Sequence, residues 1–317
     1  MKIIKGVDKI ARDMRDSIVT IGNFDGVHLA HQKIFKRVVI EASNESRKSV
    51  VITFDPHPKK VLHPERRPFF LITSLDEKLK LVADMGIDAV VLLKFSLELA
   101  KMTAAEFVKN ILYDRLHIKK IFIGHDYSFG RGKEGNEEYL KSSGDRLGFE
   151  VEVINAIKAD GIPVSSTKTR DAILDGNVKL AARLLGRPYN LGGAVIKGYQ
   201  RGADIGFPTV NIEPEKALIP CRGVYAVIAE IEGRSRPSVV NIGFNPTFGN
   251  DKLSVEAHVL DFRGNISGES LNLLFIDRIR DERKFEGAER LAEQIKKDIS
   301  QAKEILTPAI NEDKKPA

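Results

Sequence analysis

Short apolar runs and helix-spaced apolar positions alternate through the first half of the chain. Ser17–Ile21, Ser49–Phe54, Asp88–Leu93, Lys120–Ile123 and Glu150–Ile154 are apolar segments of strand length. Helical spacing fills the intervals at Leu29–Ala42, Ser74–Met85 and Asn136–Leu147. Thr103-Ala104-Ala105-Glu106 has the form of a capping box and predicts a helix running to Arg115. This alternation predicts a parallel sheet covered by helices, an α/β doubly wound fold, whose sites lie at the carboxyl ends of the strands. Two further helical patterns, Ser166–Leu174 and Asn177–Leu185, close this half.

The pattern changes after Gly186. Gly193–Ile196, Gly223–Ile231, Arg236–Ile242, Leu253–Asp261 and Ser270–Phe275 are short strand candidates separated by Gly, Pro and Asn turns. They predict a small antiparallel β-barrel. One helix follows, Glu286–Ile305, with Leu291, Ile295 and Ile299 on one face, and the polar tail TPAINEDKKPA is expected to fray. The boundary is placed at Leu185–Asn190, giving domains 1–185 and 186–317.

Composition narrows the class. A chain of 317 residues accommodates about two domains. The net charge of +6 comes with no basic run longer than a pair, so small anions are expected as ligands and nucleic acid is not. The single cysteine, Cys221, excludes an internal disulfide framework and a multi-cysteine zinc site. No apolar stretch reaches the length of a membrane span, and the N-terminus has no signal-peptide core. The expectation is a soluble cytoplasmic protein with no membrane association and no obligatory protein partner.

The segment Ile21 to His31, IGNFDGVHLAH, ends the first strand and opens the first helix. Gly22 and Gly26 let the backbone approach a ligand closely, and the helix N-terminus favours phosphate. His28 and His31, three apart, project from one helical face. Two imidazoles there are suited to charge developing at an attacked α-phosphorus. A bare H-x-x-H is ordinarily a pair of surface histidines, and metal binding would need a third ligand. Two later segments, Gly124–Gly130 (GHDYSFG) and Ser165–Arg170 (SSTKTR), supply candidate ligand contacts. Ser166, Thr167 and Arg170 offer hydroxyl, amide and guanidinium donors for phosphate oxygens.

The second half has no Walker loop. It carries Gly198–Asn211 (GYQRGADIGFPTVN), in which clustered glycines permit a close wrap around phosphates and Pro208 stiffens the turn. In extended chain Thr209 and Asn211 point to one side, and their oxygens suit Mg²⁺. Glu256 and His258 share one strand face, opposite Val255, Ala257 and Val259.

Together these strings resemble the bacterial bifunctional riboflavin kinase/FAD synthetase family over nearly the whole chain. The first is similar to the G-x-F-D-G-x-H-x-G-H signature of the nucleotidyltransferases, with Ala30 in place of a glycine. Asp55-Pro56-His57-Pro58 and the two later segments follow in the family's order, although Tyr127 and Ser128 depart from its D-F-R-F-G. Gly202, Gly206, Phe207, Pro208, Thr209 and Asn211 match the riboflavin kinase signature, with Ala203 where an arginine is usual. The resemblance implies a Rossmann-like FMN adenylyltransferase domain followed by a riboflavin kinase barrel. It implies that His28 and His31 stabilise the adenylyl transition state, and that Gly22, Phe24, Asp25, Gly26, Ser166, Thr167 and Arg170 bind ATP. Asp126, Phe54 and Pro56 would contact flavin there. In the kinase it implies ATP on Gly202, Gly206, Pro208, Thr209 and Asn211, with Mg²⁺ on Thr209 and Asn211. Flavin would lie on Arg280, Glu282 and Phe285, and Glu256 would be the general base. Riboflavin, FMN and ATP are the expected small-molecule partners. Two other readings stay open: an FAD synthase with an impaired kinase, motivated by Ala203, and a non-catalytic flavin-binding regulator.

Overall fold

A computed structural model describes residues 1–63, 69–196, 206–244, 253–262, 264, 266 and 268–312. Gly202 and the segment Asn245–Phe248 lie outside the described residues. The chain divides into two compact units, Met1–Ser165 and Ser166–Ala317.

The first unit is built on strands β1 (Lys2–Lys5), β2 (Ile18–Ile21), β3 (Ser49–Asp55), β4 (Ala89–Lys94), β5 (Lys120–Gly124) and β6 (Glu150–Ile154). They form one parallel sheet in the order β1-β4-β3-β2-β5-β6. Its helices are α1 (Leu29–Asn44), α2 (Pro58–Leu62), α3 (Leu75–Asp84), α4 (Leu97–Lys101), α5 (Ala104–Phe107) and α6 (Glu137–Leu147). Strand alternation sends Ile18, Val51, Val90 and Phe122 to one face, where Phe35 and Val38 of α1 and Val82 of α3 cover them. Val19, Ile21, Val50, Ile52, Val91 and Ile121 face the other way, against Phe107, Ile111, Leu112 and Leu140. Both sheet faces are thus buried, which is why these strands read as continuous apolar runs. The Thr103–Glu106 capping box is present. The helix it opens widens into a π-turn over Val108–Tyr113, which keeps Val108, Ile111 and Leu112 buried together.

The strand order reverses at β2: the chain steps outward through β3 and β4, then returns to place β5 on the opposite side of β2. That switch point lies at the carboxyl ends of β2 and β5, where doubly wound sheets open a crevice. The two segments that follow these strands are Gly22–His31 and His125–Gly130.

A two-stranded hairpin, β7 (Lys158–Ala159) and β8 (Ile162–Pro163), precedes the second unit, which opens with α7 (Ser166–Leu174) and α8 (Val178–Leu185). It continues with β9 (Tyr189–Ile196), β10 (Val210–Pro214), β11 (Gly223–Ile231), β12 (Arg234–Phe244), β13 (Leu253–Val259), β14 (Ser270–Arg280) and α9 (Ala288–Glu312). The six strands close a barrel in the order β10-β13-β12-β11-β14-β9. The sequence pattern predicts five of these; the sixth, β10, lies within the glycine-rich motif. The terminal helix runs on to Glu312, through Pro308, where the polar composition predicts a frayed tail. Helix α8 packs against β9 and β14, with Lys179 paired to Asp277 at 2.6 Å. This groups Ser166–Leu185 with the barrel rather than with the parallel sheet.

Inside the barrel Tyr225 meets Phe275 edge to ring, and Tyr189 packs against the same Phe275 at a tilt. Outside it Val224, Ala226 and Ile228 pack on Ala302 and Leu306 of α9. Arg280 ends β14 and locks this helix in place. Its Nε and Nη2 donate to Asp298 at 2.9 and 2.7 Å, and its Nη1 donates to the Asp281 carbonyl. Asp298 is buried. Removing one partner of such a pair strands the other charge, so Asp298→Ala is expected to cost about 3 kcal/mol. Asp298→Asn, which retains an acceptor, should cost less. A lowered urea midpoint in that order checks this.

Candidate functional site

The loop after β2 is shaped before any ligand is considered. Gly26 has φ +87°, and a Cβ there would meet Ile72 Cδ1 at 3.0 Å. Phe24 and Val27 also adopt positive φ, so the loop is held by its surroundings. The Asp25 carboxylate holds it, accepting from the N–H groups of Ile72 and Thr73 at 2.9 and 3.3 Å. The Gly26 N–H donates to Thr73 Oγ1 at 3.1 Å. Asp25 is buried, and its part is to pin the loop.

His28 is the N-cap of α1 rather than a residue of its first turn, and its Nδ1 accepts the His31 N–H at 3.4 Å. That contact assigns the neutral tautomer with the proton on Nε2, the form that donates to an oxyanion. The two imidazoles stack, with centroids 3.5 Å apart and planes at 18°. Phe24 closes against His31 edge-on at 5.1 Å. His31 Nδ1 is buried with no hydrogen-bond partner among the described residues. Burial holds the His31 pKa well below the ordinary imidazole value, and the nearby His28 and Lys78 add to this. His31 is therefore neutral at pH 7. Between that lowered value and about 6.5 the unfolded chain binds a proton that the folded one does not, so this group removes stability as pH falls through about 6.5.

Beside the loop a cleft of about 280 Å³ is lined by Asn23, Asp25, Phe54, Asp55, His57 and Lys78, among others. Phe54 is thus brought to the cleft and packs against Phe95. Pro56 is exposed. Asp126 stands on the turn after β5 with its side chain 86% exposed. Tyr127 beside it is half-buried, its desolvation raises the phenol pKa, and it stacks on Phe129. Ser166, Thr167 and Arg170 open α7, in the second unit, with Ser166 and Arg170 half-buried. Sequence reasoning passed over Lys78, Asn23 and Thr53. Lys78 was detectable: it falls three after Leu75 and four before Val82, on the apolar stripe of α3.

On the barrel, strand register brings the kinase candidates into one row. Asn211 of β10 pairs with Glu256 of β13, and Glu256 pairs with Asn241 of β12. Directly paired residues point to the same face, opposite the buried Val255 and Ala257. Thr209 precedes Asn211 by two. His258 fixes the approach to it, its Nδ1–H donating to the Pro208 carbonyl at 2.7 Å. The glycines differ: Gly206 lies in the exposed turn before Pro208, whereas Gly202 is outside the described residues. Glu282 folds over Gly243, where any Cβ would strike its carboxylate, and Asn241 Nδ2 lies 3.5 Å from that same Cβ position. Arg222 lies 3.8 Å from the other side of the carboxylate and sits over Phe244. The guanidinium groups of Arg280 and Arg283 lie 5.6 and 4.9 Å from the centre of the Phe285 ring. Arg280, expected to meet flavin, has its nitrogens engaged by Asp298 and Asp281 and acts here as a tether.

Comparison with known proteins follows the same division. The FAD synthetase family model matches residues 10–168, and the riboflavin kinase model matches residues 185–306. The bifunctional riboflavin kinase/FMN adenylyltransferase of Pseudomonas fluorescens is 36% identical over 98% of this chain and 99% of its own. The Escherichia coli K12 protein of the same name is 33% identical over 96% of this chain and 98% of its own. A solved structure described as a macrolide-efflux protein from Streptococcus pneumoniae is 34% identical, with a TM-score of 0.88, and covers 96% of this chain and 99% of that one. Among the described residues no helix is long and apolar enough to cross a membrane.

Proposed function

The chain belongs to the bifunctional riboflavin kinase/FMN adenylyltransferase family, and on that premise we propose how its residues divide two consecutive reactions. The barrel, within 186–317, phosphorylates riboflavin with ATP to FMN. The first functional domain, 1–185, which takes in the parallel sheet together with α7 and α8 of the second compact unit, joins FMN to the adenylyl group of a second ATP, forming FAD and releasing pyrophosphate. The observation that carries this is the presence in one chain of both constructions: the stacked His28–His31 pair at the switch point, and the Asn211–Glu256–Asn241 row on the barrel.

In adenylyl transfer an FMN phosphate oxygen attacks the α-phosphorus and the bond to pyrophosphate breaks. The acceptor is already anionic, so no base is required. His28 and His31 supply donors for the charge that builds on the α-phosphate. Gly22, Phe24 and Gly26 shape the phosphate cradle, and Asp25 holds it in place. The resemblance assigns Ser166, Thr167 and Arg170 to the ATP phosphates, and Asp126, Phe54 and Pro56 to flavin.

In the kinase, Glu256 accepts the proton of the riboflavin 5′-hydroxyl as that oxygen bonds to the γ-phosphorus and ADP leaves. Thr209 and Asn211 present neutral oxygen donors next to a carboxylate, a set that fits a hard divalent ion retaining water and phosphate ligands. Mg²⁺ is the ion we assign there, where it would draw charge from the phosphate oxygens. Glu282 and Phe285 are assigned to flavin, with Arg280 positioning them. The lone cysteine fits a reducing compartment, and we place both steps in the cytoplasm without nucleic acid or an obligatory protein partner. The test is product analysis with MgATP and either riboflavin or FMN as acceptor. Riboflavin should give FMN and FAD. FAD from supplied FMN alone would support an FAD synthase with an impaired kinase.

The seat of Glu282 gives a sharper expectation. Gly243→Ala meets only the movable end of a side chain, so stability should hold while the carboxylate is displaced. The KM for riboflavin should rise about as much as in Glu282→Gln, and the double variant should add little to either. Additive effects would separate the two residues.

A further inference from the structure

Lys78 lies on α3 with 8% of its surface exposed. Its ammonium donates to the Asn23 carbonyl at 3.2 Å and to Thr53 Oγ1 at 3.1 Å. Both acceptors are neutral, and Lys78 has no ion-pair partner among the described residues. Holding an ammonium in such a place is costly. Burial is the main reason its pKa lies below the ordinary lysine range, with Asp25 and Asp55 acting in the opposite direction. A packing role needs no charge, since methionine has a similar reach. The charge instead borders the cleft, together with Asn23, Asp25, Asp55 and His57. Asn23 and Thr53 belong to the carboxyl edge of β2 and β3, the edge at which this sheet class binds ligands.

We propose that Lys78 is a phosphate-binding residue of the adenylyl-transfer site, anchored between Asn23 and Thr53 so that its charge and remaining N–H serve a phosphate of FMN or of ATP. The proposal rests on the adenylyltransferase reading of the first unit. An ammonium has three N–H bonds, of which the two protein acceptors engage two. It presents a point charge, suited to a single phosphate oxygen. The reaction brings an FMN phosphate against an ATP phosphate, and a buried cation offsets their repulsion. Lys78 stays protonated throughout: one P–O bond forms, another breaks, and pyrophosphate carries away the leaving charge. The titratable groups around it are Asp25 on the β2–α1 loop, Asp55 and His57 after β3, and the His28–His31 pair at α1.

The test uses full-length Lys78→Met. Its melting temperature should equal or exceed that of the wild type. Its kcat/KM for turning FMN into FAD should fall about 10- to 100-fold, with riboflavin phosphorylation within about twofold. A rise confined to the KM for FMN assigns the FMN phosphate; one confined to ATP assigns ATP. The acid limb of the FAD-forming pH profile should also move upward, because a cation opposing His31 protonation has gone. Lys78→Gln retains donors without charge and should show the same loss. FAD formation at wild-type rate in either variant overturns the proposal. So does an equal fall of both activities with a lowered melting temperature. If wild-type protein makes no FAD from FMN, the adenylyltransferase reading itself has failed.

Discussion

His28→Ala and His31→Ala are each expected to slow FAD formation from FMN about 10²–10³-fold, the usual cost of removing one donor aimed at transition-state charge. Riboflavin phosphorylation should stay within about twofold, since independent sites behave additively. His28 gives its Nδ1 to the His31 N–H, so its proton is on Nε2. His31 is half-buried, with a buried, unpartnered Nδ1 and a lowered pKa, and so stays neutral at pH 7. A neutral imidazole donates to an oxyanion without the desolvation of a buried cation. His28 is also an N-cap, and losing a cap costs about 1 kcal/mol. His28→Asn separates the two roles, because asparagine is itself a good N-cap. It should recover the melting temperature and none of the activity. Equal loss of both reactions would point to misfolding.

Glu256→Gln is expected to lower riboflavin phosphorylation about 10²-fold while FAD still forms from supplied FMN. General bases contribute roughly 10²–10⁴. Phosphoryl transfer has a loose transition state in which the hydroxyl needs little early activation, so the low end applies. Glutamine preserves size and the half-buried position between Asn211 and Asn241. It still accepts a hydrogen bond from the hydroxyl, so the effect should fall on kcat, with the KM for riboflavin little changed. Phosphorylation near the wild-type rate would remove Glu256 as the base and leave positioning by Thr209 and Asn211.

Much of the sheet is legible because burial on both faces writes itself as runs such as Val50-Val51-Ile52. Strand β1 is not, since Lys-Ile-Ile-Lys is short and all of it but Ile4 is exposed at the sheet edge. Strand β10 is obscured by the motif it carries, where Thr209 and Asn211 interrupt the apolar signal. The π-turn after α5 changes the helical period without changing composition. At the sites, motif residues that follow one another in sequence are easily read, and Gly22 to His31 does form one loop and helix start. Contacts between distant segments are not. Arg280 meets Asp298, 18 residues on, and Glu282 needs the missing side chain of Gly243. Lys78 reads as an ordinary helix lysine until its position on the apolar stripe is counted.

The central claim is that one chain carries out two different attacks on ATP. The most direct measurement follows phosphorus from ATP labelled at either the α or the γ position, with riboflavin as the only flavin supplied. The account predicts γ-label in FMN and retained in FAD, and α-label in FAD alone. Label from neither position in any flavin, or α-label missing from flavin while γ-labelled FMN accumulates, would contradict it.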